Sequence, residues 1–499
     1  MNLSLLLLGA SLALTSALQY PPSCDQTCQH LAEAGSSYET ANNVDPSLSF
    51  YAVPSNFTPS LAPGTLLKLE LATPMTNYSI PSGLSLSRIL YTTTDLNGTI
   101  LPTSAYILWP YLPFQLPLPN KKNNKDKPPS GGGFPIVAWA HGTTGLFPPC
   151  APSNYRNLQY HFMVPFLLAL QGSVVVAPDY AGLGVSHLPS GKQILHPWLA
   201  GPAQANDLAN AIIAARTAFP SQLHPSGAFV AMGHSQGGSA AWAFAERQAH
   251  SPVPGYRGTL AIAPSPRNFE QYEMALANHS LPFAPINQGL PPKLIAAVTA
   301  VFPAYNYSGL TDVAYERWNG VLKPIGGCFA TDTLVFSEFQ TTPQKLAKPN
   351  WQRDGPVQDF KKLTDLGGKK PFKGPLVIYA ADVDEIISYE VVKGAVAETC
   401  AAMKGKGKGK EELEFVTYRG SNHFPIIQAS QQRWLGWVRE RLFDDSEGVG
   451  GRRGHGVGGC KTNEVVEGFR QEFTFKTFLP NFLDSWVDPD LSKEGWKYI

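Results

Sequence analysis

One serine, one aspartate and one histidine stand in an order and spacing that could carry out nucleophilic catalysis. Gly233-His234-Ser235-Gln236-Gly237 is a G-x-S-x-G pentapeptide. Its chemistry requires a sharp strand-to-helix turn that lifts a serine hydroxyl above a sheet. The apolar run Ala228–Met232 predicts the strand that feeds it, and the Ala-rich run Gln236–Gln248 predicts the helix that leaves it. A serine hydroxyl becomes a useful nucleophile only when a base takes its proton, commonly an imidazole held by a carboxylate.

In this architecture the chain order is serine, then the acid, then histidine. Well downstream of Ser235 lie His279, His423 and His455. His279 falls in a long insertion, and His455 sits in the Gly- and Arg-rich stretch Arg452-Arg453-Gly454-His455-Gly456, which cannot hold a base in place. His423 follows the expected strand Glu414–Tyr418 and directly precedes the last long helix, at the carboxyl end of a strand where such sheets place their sites. For the acid, the strand Leu376–Ala380 runs into Ala381-Asp382-Val383-Asp384-Glu385. Asp384 is preferred as the partner of His423. Asp382 reads as a turn or capping residue and Glu385 as an exposed one.

The elements that must position these groups follow from periodicity. Thr65–Leu71, Leu86–Thr93 and Ser104–Trp109 predict strands, and beyond residue 133 the pattern alternates between short apolar strands and longer helices. The strands are Pro135–Ala140, Ser173–Ala177, Ala228–Met232, Thr259–Ala263, Leu376–Ala380 and Glu414–Tyr418; the helices are Asn154–Leu170, Gln204–Phe219, Gln236–Gln248, Ile386–Cys400 and Phe424–Phe443. That alternation implies an α/β fold with a mostly parallel central sheet flanked by helices. About 110 residues separate the strands at 259 and 376, far beyond an ordinary connection, and predict an inserted, mainly helical cap. The expected organisation is a leader at 1–17, a core at 18–265, the cap at 266–374 and the rest of the core at 375–499. Residues 120–133, 404–410 and 444–459 are polar or Gly-rich surface insertions.

Taken together, these motifs resemble an α/β-hydrolase, and more narrowly the fungal secretory lipase family. The resemblance rests on His141-Gly-Thr-Thr-Gly145, Ala177-Pro-Asp-Tyr-Ala-Gly-Leu-Gly184 and Gly233-His-Ser-Gln-Gly-Gly238, on the order of Ser235, Asp384 and His423, and on the large insertion. It spans roughly residues 50 to 443. It implies a lid over the site and hydrolysis of acylglycerols or related esters. It also implies the disulfides Cys150–Cys328 and Cys400–Cys460, which leaves Cys24 and Cys28 to pair locally.

Such chemistry needs two backbone N–H groups aimed at a developing oxyanion. One is expected from Gln236. The other is expected from the loop 141–145, where Thr143, Thr144 and Gly145 are not separable because backbone donors have no side-chain signature. His141 reads as structural, and Asp179 and Tyr180 as shaping a turn. No metal or organic cofactor is called for. A peptidase or an acyltransferase would use the same triad, and a binding protein would need none of it.

Composition narrows the setting. The 39 basic and 38 acidic residues leave a formal charge of +1, which removes nucleic acid as a partner. Hydrophobic residues make up 43% of 499, enough for a large core. Leu3–Leu14 followed by Thr15-Ser16-Ala17 reads as a cleaved secretory signal and not a transmembrane anchor, since it is short for a bilayer span. Six cysteines without a CxxC pair, and sequons at Asn56, Asn77, Asn97, Asn278 and Asn306, agree with an extracellular, disulfide-bonded glycoprotein. The partner expected is an ester or lipid substrate, one presented at a lipid–water interface included.

Overall fold

The computed structural model describes residues 19–113, 133–277, 289–339, 342–404, 411–443 and 459–466. The expected leader, the sequon at Asn278, His279, His455 and most of the three polar insertions lie outside these residues.

Along the chain the first helix is α1 (Gln26–Asn42), followed by strands β1 (Leu66–Glu70), β2 (Ser85–Thr94), β3 (Ile100–Trp109) and β4 (Ile136–Ala140). Then come α2 (Pro165–Leu170), β5 (Val174–Pro178), α3 (Gly201–Ala218), β6 (Phe229–His234), α4 (Gln236–Gln248) and β7 (Tyr256–Ile262). Among the described residues the α-helices that follow are α5 (Asn268–Ala277), α6 (Leu290–Val301), α7 (Asp312–Arg317), the single turn α8 (Lys323–Ile325), α9 (Phe329–Val335) and α10 (Gly355–Thr364). The described chain closes with β8 (Leu376–Ala381), α11 (Tyr389–Lys404), β9 (Glu412–Tyr418), α12 (Pro425–Ala429), α13 (Gln431–Phe443) and β10 (Gly459–Val465).

All ten strands form one sheet in the order β1-β2-β3-β5-β4-β6-β7-β8-β9-β10. The β1–β2, β2–β3 and β3–β5 pairs are antiparallel, and every pair from β5 to β10 is parallel. The α/β class with a mostly parallel sheet, expected from the alternation, is borne out. Parallel strands buried on both faces must be apolar throughout, and Ile136–Ala140 and Val174–Val176 are at most 1% exposed. One face of the sheet packs against α3 and α4, and the other carries Trp139, Trp434 and Tyr379.

Register decides where the chemistry can sit. Ala140 pairs with Gly233, His234 with Ile262, and Ala381 with Tyr418. The loops after β4, β6, β8 and β9 therefore leave the sheet at one common end, the carboxyl end at which open α/β sheets bind ligands.

Several expectations need correction. The segment 154–170 is not one helix: only Pro165–Leu170 is α-helical, after two short 3₁₀ turns. Leu158, Gln159 and His161 take positive φ, and the Asn157 side chain accepts from the Gln159 N–H, so the backbone follows an Asx-type turn in place of a helix. The last helix is divided at Ser430, whose hydroxyl bonds the Ile426 carbonyl. The helix expected from Ile386 begins at Tyr389. Two elements were not anticipated. β10 extends the sheet beside β9. α1, capped by Asp25, packs on α9, with Gly35 lying against Thr331 because any Cβ there would collide.

The three disulfides implied by the resemblance are present, with Cα separations of 5.1 Å for Cys24–Cys28, 5.4 Å for Cys150–Cys328 and 5.5 Å for Cys400–Cys460.

Candidate active site

Ser235 stands between β6 and α4 with φ 59° and ψ −123°, a conformation that L side chains rarely adopt. The turn is held by its surroundings: the Ser235 N–H bonds the Ile262 carbonyl, and its carbonyl accepts from Ser239. Gly233 and Gly237 are required here, because a Cβ on Gly233 would run into the carbonyl of Gly237, and one on Gly237 into that of Ala140. Strain of this kind is kept where the surroundings over-determine it.

The structure brings Ser235, His423 and Asp384 together. Nε2 of His423 lies 2.9 Å from Ser235 Oγ, and its Nδ1 lies 2.8 Å from Asp384 Oδ2. The carboxylate can only accept, so Nδ1 carries the hydrogen and Nε2 presents a lone pair to the serine hydroxyl. Asp384 is fixed in turn, since its Oδ1 accepts from the N–H groups of Ile386 at 2.9 Å and Ile387 at 2.8 Å. Asp382 is turned elsewhere: it accepts from the Gly420 N–H and faces Arg419. Asn422 ties the two loops, its Oδ1 accepting from Glu385 N–H at 3.0 Å and His423 N–H at 2.7 Å.

A second layer holds this group. His234 lies with its Nδ1 2.9 Å from Tyr160 Oη and its Nε2 2.9 Å from the His423 carbonyl oxygen. Burial holds the His234 imidazole well below its ordinary pKa and so keeps it neutral. Gln236 is buried, and its Nε2 donates to Nε2 of His196, which in turn donates from Nδ1 to the Ala181 carbonyl. Burial lowers the His196 pKa to about 4, so this ring too is neutral near pH 7.

The loop after β4 carries the other expected donors. Thr143 borders the cavity that holds Ser235, and its Oγ1 accepts from the indole N–H of Trp198 at 3.0 Å. Thr144 is buried and its carbonyl accepts from the Phe329 N–H at 3.0 Å, while Gly145 bridges to Cys328. Both contacts fasten the loop to the start of α9. His141 is buried, stacked on Tyr180 and set against the carbonyls of Gly142 and Asp179, and desolvation lowers its pKa to about 3. Asp179 accepts from Ser104 and Ser153, which pins β3 and the loop after β4 to the end of β5.

The cavity over Ser235 encloses about 610 Å³, its open mouth included. Tyr160, Leu199, Ile386, Ile387 and Phe424 make much of it apolar. Asn268, Gln271, Leu290, Lys293 and Phe329 enter it from the segment between β7 and β8. Sequence reasoning missed Tyr160, Trp198, Asn422 and Lys293, which reach the site through folding alone. His234 was in view as part of the pentapeptide, but nothing in the pattern showed what its ring would hold. Among the described residues no group of three or more His, Cys, Asp and Glu side chains could hold a metal ion, and no helix is long and apolar enough to cross a membrane.

Comparison with known proteins agrees with this architecture. Lipase A of Candida antarctica is similar in structure with a TM-score of 0.63 at 16% identity, covering 87% of this chain and 94% of that one. Its closed state gives the same TM-score, 0.63. The rice cell wall degrading esterase LipA from Xanthomonas oryzae is similar with a TM-score of 0.56 at 19% identity, over 77% of this chain and 99% of that one. No curated protein matches the sequence. The family model for alpha/beta hydrolases matches residues 137–433, which hold all of β4 but its first residue, the Ser235 turn and the loops of Asp384 and His423. The chain therefore belongs to the alpha/beta hydrolase family.

Proposed function

We propose that this chain is a secreted serine hydrolase of carboxylic esters, a triacylglycerol lipase or a broad-specificity esterase that works through an acyl-enzyme. The observation that carries the reading is the unbroken hydrogen-bond path from Ser235 Oγ through His423 to Asp384. The likeness to a lipase and an esterase supports the same class.

In the first half-reaction Ser235 Oγ bonds to the ester carbonyl carbon while His423 Nε2 takes its proton. The carbonyl electron pair moves onto oxygen, facing the backbone N–H of Gln236 at the start of α4 and that of Thr143. Thr143 is favoured over Thr144 because Thr143 borders the cavity with Ser235, whereas Thr144 is buried against α9. Asp384 keeps the Nδ1 hydrogen in place and balances the imidazolium charge. The C–O bond to the leaving alcohol then breaks, and the alcohol departs with the proton from His423. Water attacks the acyl-serine in the same way, its proton passing to His423 and back to Ser235 Oγ as the acid leaves.

Residues 266–374 act as the cap of this site, since five of the residues bordering the cavity come from it. Secretion is supported by the three disulfides and by the exposure of the sequon residues Asn56, Asn77, Asn97 and Asn306. The test is hydrolysis of an ester series from acetyl to palmitoyl, with Ser235→Ala alongside. Long-chain turnover abolished by the substitution supports the lipase form, and a short-chain optimum the esterase form. Absence of any ester turnover by folded protein would overturn the reading.

A further inference from the structure

The helix α6 has the sequence Leu-Pro-Pro-Lys-Leu-Ile-Ala-Ala-Val-Thr-Ala-Val, in which Lys293 is the one charged residue. An isolated lysine in so apolar a helix would ordinarily face water. Lys293 is instead 2% exposed, and it borders the same cavity as Ser235. Its Nζ lies 2.8 Å from Asp332 Oδ1, itself 2% exposed, and 5.8 Å and 5.9 Å from the ring centres of Trp198 and Phe329. Both rings border the cavity as well. Phe329 and Asp332 are three residues apart on α9 and so share one of its faces. The second carboxylate oxygen, Asp332 Oδ2, is buried with no hydrogen-bond partner among the described residues.

A site for plain hydrocarbon gains nothing from a buried ammonium on its wall, because an alkyl chain laid against it replaces polar surroundings with none. A carboxylate-bearing substrate fits poorly too. The Lys293–Asp332 pair is already neutral, and an added anion would leave two negative groups close together in a medium of low dielectric. A neutral hydroxyl fits, since its oxygen accepts near the ammonium that borders the cavity and adds no charge beside the buried Asp332. Resting on the ester-hydrolase reading above, we infer that the Lys293–Asp332 pair determines specificity, so that the preferred ester carries a neutral hydroxyl on the chain that lies along α6.

The experiment uses the full chain and matched para-nitrophenyl esters of acids ending in methyl, hydroxyl or carboxylate, over a series of chain lengths. A parallel set carries the same groups on the alcohol side. At the best-fitting length, the hydroxylated ester should exceed the unsubstituted one by roughly tenfold in kcat/KM, on the scale of one buried hydrogen bond. In Lys293→Met that preference, read as the ratio of kcat/KM between the hydroxylated and the unsubstituted ester of one length, should vanish or reverse. Lys293→Met leaves Asp332 unpaired in the interior and can fail to fold. The double variant Lys293→Met/Asp332→Leu removes both charges and makes the same comparison.

A pair that merely joins α6 to α9 would lower turnover of every ester by one factor and leave the ratio between them unchanged. That result overturns the proposal. So does a wild-type preference for the unsubstituted or the carboxylated ester. If the folded wild type turns over esters without a hydroxyl preference, this inference alone fails. If it turns over none, the hydrolase reading fails with it.

Discussion

His234 Nε2 donates to the backbone carbonyl of His423 at 2.9 Å, so the residue before Ser235 holds the loop whose imidazole faces Ser235. A carbonyl can only accept, which assigns the hydrogen to Nε2. The neutral ring must then accept at Nδ1, and Tyr160 Oη donates to it at 2.9 Å. The path from Tyr160 through His234 to the His423 carbonyl is separate from the one through Asp384.

Tyr160→Phe removes that donor and leaves a buried nitrogen unpaired, at a cost of roughly 1–3 kcal/mol. The expected effect is a roughly tenfold lower kcat from a displaced His423, with KM little changed. Steady-state kinetics on a short ester decide it, and an unchanged kcat would show that the path does not position the base.

Asp384→Asn should lower kcat by about 10⁴-fold, because an amide can favour the wrong imidazole tautomer while leaving the geometry in place. Asp382→Asn should stay within roughly tenfold of the wild type, since Asp382 meets Gly420 and Arg419 and not His423. The reverse pattern would exchange their roles. Melting curves of both variants guard against misfolding.

The Cys150–Cys328 bridge closes a loop of 178 residues, and the Cys24–Cys28 bridge one of 4. On the chain-entropy relation their removal should cost roughly 5 and roughly 2 kcal/mol, respectively. Replacing Cys150 and Cys328 by serine should also lower activity, because the pair joins the loop of Thr143 to α9. Denaturant midpoints and ester turnover measure both effects, and equal midpoints for the two double variants would refute the ordering.

Burial pushes the Glu39 carboxyl from an ordinary 4.5 up to about 7, although its oxygens accept from Cys328 and Thr331 N–H at the start of α9. Burial does the same to Asp207 and Glu246, each raised to about 7. A raised carboxyl pKa means that the folded state keeps a proton the unfolded chain has lost. The stability it contributes is fully present below about 4.5 and is lost as pH rises towards about 7. Glu39→Gln should make the fall in melting temperature over that window shallower. An identical slope in wild type and variant would remove Glu39 from the account.

Much of this protein is legible in its sequence. Strands such as Pro135–Ala140 and Ala228–Met232 are short, apolar and bounded by turn residues, and burial on both faces of a parallel sheet admits no other pattern. Ser235 was legible because its turn needs glycine at fixed offsets, and Asp384 and His423 because each follows a strand and so falls at the same end of the sheet. The segment 154–170 misled because helical spacing of apolar residues says nothing of an Asx turn or of left-handed backbone at Leu158 and Gln159. β10 escaped notice because most of its side chains are partly or fully exposed, leaving no period to read.

Beyond Ser235, Asp384 and His423, the tertiary structure alone decided which polar groups face one another. Tyr160, His234 and His423 meet across separations of 74 and 189 residues, and Lys293 meets Asp332 across 39. Local spacing governs strands, helices and turns because their hydrogen bonds and steric limits act between near neighbours. A buried lysine and a buried aspartate carry no such local mark. Their partnership exists only once α6 and α9 have packed and water has left the space between them.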